Sequence, residues 1–181
     1  MEYKTYNEMV DDYLRTDSPE VFGNFSPEHA KYIITRFLRS AEYSVEIMSG
    51  SFADMFYDKE TVLPLLCGAA RRIYRNGGMI RIMTVNGRTS AYLRELVGRV
   101  AAEHPNPVIE YRPASYSGPD KLSHFMVVDG KRYRLEAPHD LSDAGEVPEI
   151  VKAEVCCNGV EKSGVLIDFF NDAWNSLGAS A

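Results

Sequence analysis

Residues 121–135 read KLSHFMVVDGKRYRL, and this stretch decides the predicted fold. Phe125 to Val128 is an apolar run of β-forming residues. The Asp129-Gly130 pair that follows is a strong hairpin signal, because glycine accepts the positive φ of a type I′ turn. We therefore predict a strand, a tight turn and a returning strand. Alternation along the first strand assigns two faces, one with Leu122, His124, Met126 and Val128 and the other with Ser123, Phe125 and Val127.

Length and composition indicate an ordinary globular domain. The chain has 181 residues, of which 45% are hydrophobic and 25% are charged, which is enough to bury a core. It contains no apolar run long enough to span a membrane, and its N-terminus is too polar for a signal peptide. A cytoplasmic location without membrane attachment is the default expectation. The three cysteines, Cys67, Cys156 and Cys157, are expected to be reduced, packed thiols.

The formal charge of −6 is unevenly distributed. Residues 1–60 carry 12 acidic and 6 basic side chains, and residues 136–181 carry 9 and 2, whereas residues 61–99 carry seven arginines against Glu95 alone. The arginines are expected to lie on solvated helix faces and to pair with the acidic parts of the chain. The overall negative charge opposes nonspecific binding to nucleic acid.

The first half of the chain alternates helices with strands. A short amphipathic helix is predicted over 3–15 and a loop from Thr16 to Phe25. Ser26, as N-cap before Pro27, begins a helix that extends to about Ser40, with Ile33, Ile34, Phe37 and Leu38 on its apolar stripe. The pattern then predicts strands over 43–48, 79–85 and 108–112 and helices over 60–76 and 90–103.

The C-terminal part returns to the sheet and ends in a helix. A polar segment, 136–149, separates the hairpin from a strand over 150–157. The final helix is predicted over 161–177, with Val165, Leu166, Phe169, Phe170, Ala173 and Trp174 directed inward. This order of elements predicts an α/β fold with a mixed central sheet flanked by helices on both faces. We expect an N-terminal helix and loop over 1–25, a single domain over 26–177 and a tail over 178–181.

Two segments of this pattern resemble a known family. Residues 125–131, FMVVDGK, resemble the signature strand of phospholipase D-like domains, and residues 168–174, DFFNDAW, resemble their closing helix of F-x-x-x-W type. The resemblance covers residues 26–177 and implies the fold of the single-motif, nuclease-type members. In this family a histidine of the motif H-x-K-x4-D attacks phosphorus. A second histidine, from another copy of the motif, protonates the leaving oxygen.

The sequence departs from that motif at the positions that do the chemistry. With Asp129 aligned to the aspartate, the histidine position is Leu122 and the lysine position is His124. The later G-S-x-N aligns with residues 136–139, EAPH, which retain none of its residues. Loss of a nucleophile commonly costs on the order of 10⁴–10⁶ in rate, and here the cationic partner is missing as well. Ordinary phosphodiesterase activity is therefore not expected.

A rebuilt acid/base site is an alternative, with His124 or His139 as nucleophile or base and Asp129 or Glu136 orienting it. The competing interpretation is that both histidines are structural. A metal site at His124, His139 and Glu136 has no supporting spacing, and no cofactor is implied. Interleaved aromatic and basic residues near the predicted cleft are candidate ligand-binding groups for a single strand of nucleic acid, namely Arg112, Tyr116, Lys121, Arg132 and Arg134.

Three functions remain open at this point. The first is an inactive domain that acts as a binding or dimerisation module, with nucleic acid or a protein of a nuclease system as partner. The second is a phosphodiesterase or nuclease that uses relocated histidines, and the third is a small nucleotide-binding protein. Because single-motif members of the family pair two copies about a two-fold axis, the resemblance also implies a homodimer.

Overall fold

The computed structural model describes residues 5–50, 57, 60–85, 91–104, 106–114, 123–137 and 152–177. The helices within these residues are α1 (Tyr6–Thr16), α2 (Pro27–Ser40), α3 (Val62–Arg75), α4 (Ala91–Glu103) and α5 (Val160–Leu177). The strands are β1 (Val21–Asn24), β2 (Ser44–Ser49), β3 (Met79–Thr84), β4 (Ile109–Pro113), β5 (Phe125–Val128), β6 (Arg132–Glu136) and β7 (Ala153–Cys156).

The strands form one mixed sheet in the order β1-β7-β6-β5-β2-β3-β4. β2, β3 and β4 are parallel, and β5 pairs antiparallel with β2. The pairs β5-β6, β6-β7 and β7-β1 are also antiparallel. The predicted mixed α/β fold is confirmed. We call the edge at which β2, β3 and β4 end the carboxyl edge; β5 and β7 begin there, and β6 and β1 end there.

The predicted hairpin joins β5 to β6. Asp129 and Gly130 have φ values of 53° and 66°, as a type I′ turn requires. The Lys131 amide closes the turn by donating to the Val128 carbonyl at 3.2 Å. The hairpin pairs with β2 through β5, which runs antiparallel to β2, so its bend lies at the edge of the sheet opposite the carboxyl edge.

Helices cover the two faces of the sheet unequally. The first face, which we call the four-helix face, packs against α1, α2, α3 and α4, and its strand residues include Val45, Ile47, Ile80, Ile82, Met126 and Val128. The other face, the α5 face, packs against α5 through Met48, Met83, Phe125, Val127 and Tyr133. The alternation predicted for Phe125 to Val128 is confirmed, because the two sets fall in separate cores.

Local signals set the helix ends as the sequence predicts. Ser26 accepts a hydrogen bond from the His29 amide at 3.2 Å at the start of α2. After α3 the chain turns through Gly77, whose φ is +72°. Gly78 then passes so close to β2 that a Cβ atom there would lie 1.7 Å from the Tyr43 carbonyl oxygen. A side chain at this position would push β3 away from β2.

Aromatic stacking and two arginines fix α5 to the sheet. Phe170 and Trp174, one turn apart, stack with their ring centroids 5.4 Å apart. The Arg81 guanidinium lies 5.0 Å from the centre of the Phe170 ring, and that of Arg112 lies 4.2 Å from the centre of a Trp174 ring. Arg81 also donates to Asn171 Oδ1 at 2.8 Å. These cation–π contacts, worth about 0.5–2 kcal/mol each, give the F-x-x-x-W pattern a structural role.

Two sequence predictions were wrong. The segment from Thr16 to Phe25 was predicted to be a loop, but it contains β1, which pairs with β7. The final helix was predicted to direct Val165 and Phe169 inward, but they are 59% and 44% exposed. The cause is geometric, since an apolar stripe wider than one helix face cannot have all its members under the helix.

Within the described residues, no helix is both long and apolar enough to cross a membrane.

Asp129 connects the hairpin bend to the turn that leads into β2. Its carboxylate accepts hydrogen bonds from the amides of Glu42, Tyr43 and Ser44 at 2.7–3.2 Å. It also accepts one from Arg132 Nη1 at 3.2 Å. The side chain is only 7% exposed. One carboxylate therefore satisfies three backbone donors at the start of β2.

We predict that Asp129→Ala lowers the free energy of unfolding by about 2–3 kcal/mol, because it leaves these amides without their acceptor. Asp129→Asn should lower the free energy of unfolding less, since the side-chain amide oxygen still accepts hydrogen bonds and asparagine tolerates positive φ. Urea denaturation measures both, with the exposed Asp168→Ala as control. An alanine variant as stable as this control would contradict the assigned role.

The three cysteines are free and buried, as predicted. Burial raises the pKa of the Cys157 thiol to about 12 and also raises the pKa values of Cys67 and Cys156. Thiolate is the reactive form of cysteine. The folded protein should therefore expose almost no reactive thiol near neutral pH.

We predict that 5,5′-dithiobis(2-nitrobenzoate) labels none of the three thiols at pH 8 in the folded protein and all three in urea. The unfolded pKa of a thiol is about 8.5, below that of folded Cys157, so the unfolded state releases protons first. The free energy of unfolding should therefore fall as the pH rises from about 8.5 towards 12. At lower pH, ionisation of Cys157 should not affect it. Fast labelling of the native protein would contradict the burial.

Candidate functional site

The carboxyl edge brings two of the predicted site residues together. His124 immediately precedes β5 and Glu136 ends β6, and the Glu136 amide donates to the His124 carbonyl at 2.8 Å. Alternation from Met126 and Arg134 places both side chains on the four-helix face. Side chains directly opposite on antiparallel strands have Cβ atoms about 4.5–5.5 Å apart. His124 and Glu136 are therefore cross-strand neighbours at the edge where ligands bind in open α/β sheets.

A buried arginine lies behind this pair. Arg134 is 4% exposed, and its Nη1 donates to Glu136 Oε2 at 3.0 Å. Its Nε donates to Oδ1 of Asn24, which is fully buried at the end of β1, at 2.9 Å. The charges of Arg134 and Glu136 thus compensate each other inside the protein. Such a pair is fixed in place and already has a counter-ion.

Two tyrosines lie around the same cluster. Tyr57 is 6% exposed, and burial raises the pKa of its hydroxyl well above the ordinary value, with Arg134 opposing the shift and Glu136 adding to it. Tyr6 of α1 donates to the Gly23 carbonyl at 3.2 Å. Burial also raises the pKa of Tyr6, again with Arg134 opposing. Both hydroxyls therefore stay protonated and neutral at physiological pH.

The parallel strands contribute neutral groups to the edge. Thr84 at the end of β3 is fully buried, and its Oγ1 lies 3.0 Å from the hydroxyl oxygen of Tyr111 on β4. Ser49, at the end of β2, is 8% exposed. The described part of the site therefore offers an imidazole, a compensated ion pair and hydroxyls. It is suited to hydrogen bonding more than to neutralising a phosphate.

Two predicted site residues lie at the opposite edge. Asp129 is five positions from His124 along an extended strand, or about 16 Å at 3.3 Å per residue. Its carboxylate is occupied by the amides described above. Arg132 pairs with Asp129 at 3.2 Å and with Asp17 at 3.5 Å. The structure thus does not bring Asp129 and Arg132 together with His124 and Glu136.

The remaining candidates divide between the other face and the parts of the chain that are not described. Arg112 lies on the α5 face, where it donates to the Trp174 carbonyl at 3.1 Å. Tyr116, Lys121 and His139 lie outside the described residues, as does Leu122 at the aligned histidine position. Among the residues that are described, no group of three or more His, Cys, Asp or Glu side chains is arranged to hold a metal ion.

Sequence reasoning missed Asn24 and Tyr57. Asn24 ends a four-residue strand that was taken for a loop, and its partner Arg134 follows 110 positions later. Tyr57 lies in a segment without periodicity. Neither residue carries a local signal, because each acquires its role only from contacts across the fold.

Comparison with known proteins supports the fold. No protein-family model and no curated protein sequence matches this chain. Nuc from Salmonella typhimurium, a phospholipase D family member, has a similar structure with a TM-score of 0.63 and 21% identity, over 88% of this chain and 97% of Nuc. This is a phospholipase D-like fold.

Two further structures share this fold at lower identity. NucT from Helicobacter pylori has a TM-score of 0.58 and 12% identity, over 88% of this chain and 99% of NucT. TrmBL2, an archaeal chromatin protein that binds DNA, has a TM-score of 0.62 and 11% identity, over 94% of this chain and 59% of TrmBL2. The phospholipase D-like domain predicted from residues 125–131 and 168–174 is thus confirmed as a fold. The register of the altered motif remains a prediction.

We predict that Glu136→Leu lowers the free energy of unfolding of this phospholipase D-like domain by about 3–5 kcal/mol, because it leaves Arg134 buried without its counter-ion. The double variant Glu136→Leu/Arg134→Met should be more stable than the single one. Thermal and urea denaturation of the wild type, Glu136→Leu, Arg134→Met and the double variant complete a double-mutant cycle. Glu95→Ala provides a control, because its ion pair with Arg99 is exposed and should contribute less than about 1 kcal/mol. Additive losses in the double variant would show that the two charges do not interact.

Proposed function

We propose that this phospholipase D-like domain does not hydrolyse phosphodiesters and acts as a binding or dimerisation module. The observation that carries the proposal is the buried ion pair at the carboxyl edge. A phosphoryl-transfer site needs a cation free to approach the equatorial oxygens, whereas Arg134 is bound to Glu136 and Asn24.

The aligned motif supports the same conclusion. A phosphohistidine route requires an unprotonated imidazole in line with phosphorus, and the aligned residue is Leu122, an aliphatic side chain. The aligned lysine position holds His124. Histidine lacks the permanent ammonium charge of a lysine side chain. The changes remove both the nucleophile and a permanent positive charge.

Nucleic acid is the ligand to test first, and a homodimer is part of the proposal. The similarity to TrmBL2, a chromatin protein that binds DNA, favours nucleic acid over other ligands. A two-fold dimer like that implied by the family resemblance would place two copies of His124 and Glu136 in one cleft. A protein of a nuclease system and a small nucleotide are the other ligands that this module would accept.

One observation favours a second candidate, a phosphodiesterase with a relocated base. His124 and Glu136 are cross-strand neighbours, and a carboxylate beside an imidazole is the arrangement that orients a general base. In this alternative His124 takes a proton from water or acts as the nucleophile, with His139 as the second candidate. The ion pair of Glu136 with Arg134 weakens the alternative, since it occupies that carboxylate.

A hydrolysis assay separates the two candidates. We expect the wild type, His124→Ala and His139→Ala to leave bis(4-nitrophenyl) phosphate, single-stranded DNA and RNA unchanged at the rate of buffer alone. The matched histidine control is His104→Ala, since His104 stacks on Tyr74 at the end of α4. Turnover that persists in the control and is lost in His124→Ala or His139→Ala would overturn the proposal in favour of the phosphodiesterase.

Binding is tested separately. Fluorescence anisotropy with labelled single-stranded DNA, duplex DNA and RNA should show saturable binding that weakens with salt. Light scattering should give twice the monomer mass. If neither is observed, and if nucleotides do not raise the melting temperature, then nucleic-acid binding, dimerisation and nucleotide binding are all refuted.

A further inference from the structure

β4 forms one edge of the sheet. It stands last in the strand order and pairs, among the described strands, with β3 alone. The outer side of an edge strand is a template for pairing with another chain, because backbone groups point away from the sheet there. The opposite edge strand, β1, is partly covered, since the Tyr6 hydroxyl of α1 donates to its Gly23 carbonyl. β4 is therefore the better template of the two.

Hydrogen bonds to β3 show which backbone groups of β4 point outward. The Ile80 amide of β3 donates to the Val108 carbonyl at 2.8 Å, and the Ala114 amide donates to the Thr84 carbonyl of β3 at 2.7 Å. Alternate residues of a strand direct their backbone groups to opposite sides, so the even-numbered residues of 108–114 face β3. The odd-numbered residues between them therefore direct their backbone groups towards the outer side.

The side chains of β4 divide between the two faces of the sheet. Ile109 and Tyr111 pack into the core of the four-helix face, which leaves Glu110 and Arg112 on the α5 face. Glu110 is half-buried, and its carboxylate has no ion pair within the described residues. Arg112 donates to the Trp174 carbonyl, and a guanidinium has further N–H donors to offer. An acid and a base thus lie two positions apart along the edge strand.

A second copy of the chain complements this edge. A two-fold axis normal to the sheet would place the two β4 strands side by side and antiparallel, with like faces together. In the register that sets Tyr111 opposite Tyr111 of the other copy, Glu110 of each copy lies opposite Arg112 of the other. Shifting the register so that outward residues still pair sets Glu110 opposite Glu110 or Arg112 opposite Arg112, and like charges directly opposite destabilise a sheet. Charge therefore selects the centred register.

Backbone groups at the two ends of β4 fit the same register. Ile109 of each copy lies opposite Pro113 of the other, so each Ile109 N–H faces a Pro113 carbonyl. Proline has no N–H to return this hydrogen bond. Pro113 thus ends the pairing without preventing it.

The flank of α4 beside this edge suits its own counterpart. α4 contacts β4 and α3, and Glu103 marks its α3 side by binding Arg71 of α3 at 2.8 Å. Ala101 is about 200° from Glu103 around the helix and is exposed, and Val97 lies one turn before it. These side chains are small and uncharged, which allows two copies of α4 to pack at the usual distance of about 8–10 Å.

We propose that β4 pairs antiparallel with β4 of a second copy, in the register that sets Glu110 opposite Arg112, so that two seven-stranded sheets join into one continuous sheet. The inference rests on the proposed homodimer and gives it an interface. From β5 of one copy to β5 of the other there are seven strand spacings, or about 33 Å. The two copies of His124 are thus far apart, and this dimer differs from one in which they share a cleft.

Amide hydrogen exchange of the wild type tests the pairing without a substitution. At a concentration where light scattering gives twice the monomer mass, the outward Ile109 amide should exchange about tenfold or more slowly than after dilution to monomer. The Glu110 amide, which faces β3, should be protected in both samples and serves as the internal control. Equally fast exchange of Ile109 in the dimeric and the diluted sample would overturn the proposal.

Charge exchange tests the register. Glu110→Arg sets arginine opposite Arg112, and Arg112→Glu sets glutamate opposite Glu110, so each variant alone should dimerise about tenfold or more weakly in analytical ultracentrifugation. A mixture of the two variants restores opposite charges at both positions and should form a heterodimer. The double variant Glu110→Arg/Arg112→Glu should dimerise as the wild type does.

The matched control is Asp168→Arg, which changes the net charge by as much as Glu110→Arg does, at an exposed position of α5. It should dimerise as the wild type does. Circular dichroism should show that every variant is folded. If Arg112→Glu is unfolded because it loses its contact with Trp174, the result for Glu110→Arg and the exchange of the Ile109 amide decide.

The outcomes separate this interface from the proposed homodimer. Dimerisation of the wild type that Glu110→Arg leaves unchanged, or folded single variants that stay monomeric when mixed, would overturn the β4 interface and leave the homodimer standing. A monomeric wild type would overturn both. The hydrolysis and anisotropy assays then still decide the rest of the proposed function.

Discussion

The carboxylate of Asp129 is the contact on which the rest of the sheet depends. It accepts hydrogen bonds from three successive amides, those of Glu42, Tyr43 and Ser44, at the junction where the parallel strands meet the antiparallel ones. A one-residue slip between β5 and β2 would exchange the two faces of β5. It would move Met126 and Val128 into the core beneath α5 and Phe125 and Val127 into the core of the four-helix face, where neither pair fits its new neighbours. By fixing this junction, Asp129 also determines which side chains reach the carboxyl edge.

The structural role of Asp129 changes how the similarity to the phospholipase D-like signature is interpreted. The retained residue, Asp129, has a structural task that is independent of any reaction, so its presence reports the fold. In the predicted motif register, the positions that would report chemistry precede β5, and His124 stands directly before that strand. In that register, the fold shared with Nuc and the chemistry make separate demands on the sequence, because Asp129 follows β5 and His124 precedes it.

Local patterns predicted the elements well and the contacts between them poorly. Asp129-Gly130 and the alternation of Phe125 to Val128 identified the hairpin and the two faces of β5. They could do so because a turn type and a strand periodicity depend on residues that are adjacent in the sequence. The ion pair of Arg134, its bond to Asn24 and the burial of Tyr57 join distant parts of the chain, and no short pattern encodes them. Val165 and Phe169 fit an apolar stripe, yet periodicity does not distinguish the underside of a helix from its flank.

The pairing of β1 with β7 has a consequence for how the protein is made. Val21, near the start of the chain, pairs with Cys156, near its end, and the core beneath α5 closes only when Phe170 and Trp174 are in place. During synthesis β1 therefore remains unpaired until the residues of β7 have been made. Pairing between such distant segments is slow, and the apolar residues of β5 stay open to other chains in the meantime. The strand order therefore delays closure of the sheet until β7 is available to β1.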